Sequence, residues 1–75
     1  MKLTQLIKKL ELNNVKILKE EINKVTKYYR VYFIFKDNLP IQIGDRFYAN
    51  QDPEIHERYI KLIEKVTNLK LSNTE

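Results

Sequence analysis

Seven of the eight aromatic residues fall between Tyr28 and Tyr48, and within that stretch the side chains alternate. Tyr29, Val31, Phe33 and Phe35 are interleaved with Tyr28, Arg30, Tyr32, Ile34 and Lys36, the period of a strand with one face in a core. Aromatic and β-branched side chains suit such a pleated, half-buried surface. Asp37-Asn38 interrupts the run as a turn, and after Pro40 a second alternation sets Ile41, Ile43 and Phe47 on one side and Gln42, Arg46 and Tyr48 on the other. A β-hairpin follows from this pattern. A connection of Asp37, Asn38 and Leu39 would place Phe35 opposite Ile41, Phe33 opposite Ile43 and Tyr29 opposite Phe47, with Asp45 a misfit opposite Val31. Gly44, the only glycine, sits inside the second strand and points to a bulge or a close backbone approach.

A lone two-stranded hairpin is at best marginal in water, so it needs partners on either side. From Lys2 to Leu12 the residues Leu3, Leu6, Ile7 and Leu10 share one face of an amphipathic helix, which Asn13-Asn14 is suited to end. Residues 15 to 26 are ambiguous. As a helix, Val15, Leu18, Ile22 and Val25 form a stripe, but Asn14 and Glu21 would join a buried face. As a strand, Val15 and Ile17 share one face while Leu18 and Ile22 share the other, which requires a bulge near Leu18 or Lys19. The hairpin's need for a third strand favours the strand.

Asp52-Pro53-Glu54 has the residues of a helix start: a capping carboxylate, Pro at the first position and an acid in the first turn. The helix is expected to reach Leu69, with Ile55, Tyr59, Leu62, Ile63, Val66 and Leu69 buried and Glu54/Arg58 and Glu57/Lys61 paired across one turn. The expected fold is a small α+β domain over residues 1 to 71, ordered helix, three-stranded antiparallel sheet, helix, with a frayed tail at 72 to 75. The alternative is one long N-terminal helix, a hairpin and a C-terminal helix.

Inventory narrows the chemistry. There is no Cys, the single Ser is Ser72 and the single His is His56, so no nucleophile and base pair and no histidine metal cluster can be assembled in one chain. His56 reads as a boundary residue beside Ile60 and Ile63. Asp37, Asp45 and Asp52 have structural explanations as a turn, a strand position paired with Arg30 or Arg46, and a cap. No enzyme, cofactor or metal is expected. No apolar run approaches the ~20 residues that span a bilayer, and lysines interrupt the start of the chain, so a cytoplasmic protein without a membrane partner is the default.

Two surfaces remain for binding. One is the polar face of the hairpin, where Tyr28, Arg30, Tyr32, Gln42, Arg46 and Tyr48 combine residue types enriched at protein interfaces. The other is charge: residues 1 to 36 carry nine Lys/Arg against three Glu, and residues 37 to 75 carry five against seven acids. Lys8, Lys9, Lys16, Lys19, Lys24 and Lys27 are the candidate phosphate contacts, with Tyr28 or Tyr32 available to stack on bases. The expected function is a non-catalytic protein-binding module. Its size, missing Cys and richness in Lys, Asn and Ile match the inhibitors and accessory factors that phages and mobile elements direct at larger host proteins, such as a defence nuclease. The alternative is RNA or DNA binding, and a homodimer that buries the Tyr face is a third arrangement.

The element order resembles that of the double-stranded RNA-binding domain. That family holds phosphate with lysines at the start of its last helix, where this chain has Asp52-Pro53-Glu54-Ile55-His56-Glu57, and its glycine- and histidine-bearing loop between the first two strands is replaced by Asn23-Lys24-Val25-Thr26. The resemblance therefore extends to the order of elements and not to the RNA-binding motifs.

Overall fold

A computed structural model describes residues Met1 to Leu71, and the tail expected at 72 to 75 lies outside them. The order is α1 (Leu3–Leu12), β1 (Lys16–Asn23), β2 (Tyr28–Ile34), β3 (Ile41–Tyr48) and α2 (Glu57–Thr67). The three strands form one antiparallel sheet in the order β1-β2-β3. The ambiguous segment is thus a strand, and the chain is a small α+β domain. No helix among the described residues is long and apolar enough to cross a membrane.

α1 buries Leu3, Leu6 and Leu10, as its spacing requires. It ends where Asn14 enters the left-handed region, with φ 64°. The Asn14 amide donates to the Glu11 carbonyl and the Val15 amide to the Leu10 carbonyl, a Schellman closure that satisfies two terminal acceptors and turns Val15 into the core. The turn between β1 and β2 is held by Asn23, whose side-chain oxygen accepts from the amides of Val25 and Thr26 at 2.8 and 3.1 Å.

Both helices supply residues to a single core on one side of the sheet. Leu3, Leu6, Leu10, Ile60 and Ile63 join Val31, Phe33, Ile43 and Phe47 in one buried cluster, and Phe33 is wholly inaccessible to solvent. The odd-numbered positions of β2 therefore face the helices.

The hairpin register differs from the expected one. Tyr29 does oppose Phe47, but Phe33 opposes Ile41 and Val31 opposes Ile43. Gly44, Asp45 and Arg46 on β3 span the distance that Arg30 alone covers on β2, so two extra residues are absorbed in a bulge and the connection grows to residues 35 to 40. Gly44 makes this possible. Its φ is +75°, and a Cβ there would lie 2.7 Å from Cζ of Phe47, whose ring covers the glycine. Asp45 sits in the bulge and forms no ion pair with Arg30 or Arg46.

No bulge occurs near Leu18 or Lys19. β1 keeps an unbroken register with β2 from Lys16 to Glu21, and the irregularity lies between Glu21 and Asn23. The reason is that β1 is an edge strand whose helix-side positions beyond Ile17 are the exposed Lys19 and Glu21, so Leu18 can stay on the other face, 44% exposed, without a kink.

The helix start at Asp52 is also corrected. Residues 53 to 55 are extended alongside the N-terminus: the Leu3 amide donates to the Pro53 carbonyl at 2.9 Å and the Ile55 amide to the Met1 carbonyl at 2.8 Å. Pro53 disfavours helical geometry at Asp52, which leaves that carboxylate free to act elsewhere. It caps α1, accepting from the Thr4 amide at 2.9 Å and the Thr4 hydroxyl at 2.7 Å. α2 begins instead at Glu57, capped by His56, whose Nδ1 accepts from the Arg58 amide at 3.1 Å. The buried stripe turns accordingly: Ile60, Ile63 and Thr67 are inside, Tyr59 and Val66 are half-buried and Leu62 is exposed. Glu54 belongs to no helix and pairs with the Met1 amine rather than Arg58, Glu57 and Lys61 form no ion pair, and the helix stops at left-handed Asn68 before reaching Leu69.

Candidate functional site

The face of the sheet away from the helices is the site the fold leaves open. Cross-strand partners in an antiparallel sheet share a face, so Lys16/Ile34, Leu18/Tyr32, Glu20/Arg30, Tyr28/Tyr48 and Tyr32/Gln42 lie on this side. Arg46 reaches it from the bulge, with its guanidinium carbon 5.3 Å from the Tyr28 ring centroid. The six residues expected to form a binding surface are therefore brought to one face.

Their side chains are organised by one another. Tyr28 and Tyr48 meet edge to face at 6.0 Å and 63°. The Tyr32 hydroxyl donates to Oε1 of Glu20 on the edge strand at 2.8 Å. Gln42 turns along its own strand, its amide donating to the carbonyls of Gly44 and Asp45 at 2.9 and 3.1 Å, so it stabilises the bulge and spends its donors there. Tyr28 and Tyr32 are half-buried, Arg30 and Arg46 are exposed, and Tyr48 is 43% exposed. Ring area and guanidinium donors thus face solvent from a rigid strand platform. Sequence reasoning did not place Leu18 and Glu20 here, because the orientation of β1 depends on its pairing with β2.

The six lysines are not gathered in the same way. Lys8 lies exposed on α1, while half-buried Lys9 donates to the Leu71 carbonyl at 3.4 Å. Lys16 is on the open face, Lys19 is on the helix side with its ammonium 5.7 Å from the Tyr29 ring, and Lys24 and Lys27 occupy the β1–β2 turn. Lys19 and Lys27 line a shallow depression with Glu21, Tyr28, Tyr29 and Ala49. These cations are divided among a helix, two faces and a turn.

The groups with shifted acidity sit away from the open face. Two hydrogen bonds from Thr4, with the Lys2 charge in support, hold the Asp52 carboxyl below its ordinary value. Hydrogen bonding and attraction from the Met1 amine do the same for Glu54. Both are explained by tying the N-terminus to the segment before α2. Among the described residues no three His, Cys, Asp or Glu side chains are close enough to hold a metal ion. Asp37, Asp45 and Asp52 are separated into a turn, a bulge and a cap.

No family model matches the chain, and neither does any curated protein or solved structure.

Proposed function

We propose that this chain is a non-catalytic protein-binding module that docks its open sheet face onto a larger protein. The observation that carries the proposal is the convergence of Tyr28, Tyr32, Tyr48, Arg30 and Arg46 on the side of the sheet that neither α1 nor α2 covers. A rigid aromatic ring brings large contact area at small entropic cost, and a guanidinium already stacked on Tyr28 gives up little freedom when it meets a partner. A small inhibitor or accessory factor encoded by a phage or mobile element fits the size and composition. Occluding a host enzyme such as a defence nuclease is one concrete form, since a net charge of +4 is opposite to that of a DNA mimic.

The test is affinity capture from a host lysate with and without nuclease treatment, using the wild type and a Tyr32→Ala/Arg46→Ala variant. A protein retained after nuclease treatment by the wild type and lost by the variant supports the proposal. Binding abolished by nuclease, or weakening by powers of ten between low and moderate salt, would instead indicate phosphate recognition.

A further inference from the structure

Two edges of the sheet carry backbone groups that no strand among the described residues pairs, and they differ in kind. β3 is interrupted by the bulge, its φ is left-handed at Gly44, and the Gln42 side chain occupies the Gly44 and Asp45 carbonyls. Such a bulge is a device that discourages a further strand. β1 has no Gly or Pro, keeps regular register over Lys16 to Glu21, and presents Leu18 44% exposed. Its charges are of both signs, which allows them to match a copy of themselves.

We propose that two copies of the chain pair through this edge, β1 against β1 antiparallel, about a twofold axis through Leu18. In a twofold edge pairing, the opposed residues lie on the same face of the joined sheet, so the axis passes through a residue facing its own copy. Centring on Lys19, Glu20 or Glu21 opposes like charges, which is destabilising. Centring on Ile17 or Ile22 leaves only three strand residues in register. Centring on Leu18 overlaps five. Leu18 meets Leu18, Lys16 meets Glu20 at two symmetric places, and Ile17 meets the aliphatic stem of Lys19 at two more. The exposed leucine is covered and every charge on the open side of this pairing meets its opposite. The product is a six-stranded sheet that carries both Tyr/Arg faces on one side. This dimer leaves that face uncovered, unlike one that hides the tyrosines.

Sedimentation equilibrium tests the pairing directly. The wild-type mass should rise from 9.1 kDa towards twice that value with concentration. Lys16→Glu and Glu20→Lys should each remain monomeric alone, because each opposes like charges, and should associate when mixed one to one, because both contacts then become opposite in sign. Leu18→Lys, at an exposed position that faces itself, should also be monomeric and serves as the check if Glu20→Lys disturbs Tyr32. A wild-type mass fixed at 9.1 kDa up to about 1 mM, the weak end of association, overturns the proposal. So does a dimer that survives in all three folded variants, which would locate the interface elsewhere.

Discussion

The two faces of the sheet are made from alternate residues of the same strands, yet they are held together by different physics. On the helix side, Phe33, Val31 and Ile43 are buried among leucines and isoleucines from both helices, and their contribution comes from area removed from water. On the open side, Tyr28, Tyr32, Arg46 and Tyr48 are ordered by ring contacts and by one hydrogen bond to Glu20, all partly in water, where such contacts contribute about 1 kcal/mol or less each. One face therefore specifies the fold. The other is free to vary with little loss of stability, which is the property a binding surface needs.

Substitutions should respect that division. Phe33→Ala is the largest break: truncating a fully buried aromatic costs about 3–5 kcal/mol, and a domain of this size should lose its cooperative thermal transition. A mild effect would mean that the helix-side core does not carry stability. Gly44→Ala comes next. It combines left-handed backbone strain of about 1–2 kcal/mol with displacement of the Phe47 ring, an overpacking cost of about 1–3 kcal/mol, and urea unfolding should show the loss without a change in slope.

Asp52→Ala should lower the melting temperature less than either, by uncapping α1, and its effect should depend on pH. Because the folded carboxyl is held below its ordinary value, its stabilisation is fully present above the normal carboxylate range and is lost as pH falls through the lowered folded value. Melting temperatures of wild type and variant should therefore converge on acidification. If the gap is constant with pH, the carboxylate charge is not what holds the cap. Smallest of all in stability is Tyr32→Ala with Arg46→Ala, which should cost about 1 kcal/mol, a shift of roughly 4–8 °C, while removing partner binding. Collapse of the fold would show that the open face supports the core.

Much of this division was legible in the one-dimensional pattern. The period of two from Tyr29 to Phe35 required Val31 and Phe33 to be buried and left Arg30 and Tyr32 outside, because successive strand side chains must point to opposite faces. The stripe of Leu3, Leu6 and Leu10 and the double asparagine after it likewise determined α1 and its left-handed end, both being local properties of the chain. The candidate face followed from the same alternation, although its membership was incomplete without Leu18 and Glu20.

What the residue pattern left undecided are the contacts between segments distant in the chain. Asp52 looks like a cap for the helix that follows it, and local chemistry would permit that, but its oxygens are used by Thr4, 48 positions earlier. α2 accordingly starts at Glu57, with His56 as its cap. The pairing register includes a bulge of two extra residues at Gly44, whose φ is +75° and which lies under the Phe47 ring, and local alternation does not specify such a bulge. The sequence by itself determined which side chains could be buried and where helices could end, since these depend on periodicity and backbone preference over a few residues. Only the tertiary structure decided which capping group serves which helix and which residues oppose one another, because those choices are settled by packing and hydrogen bonding between parts of the chain that local pattern does not relate.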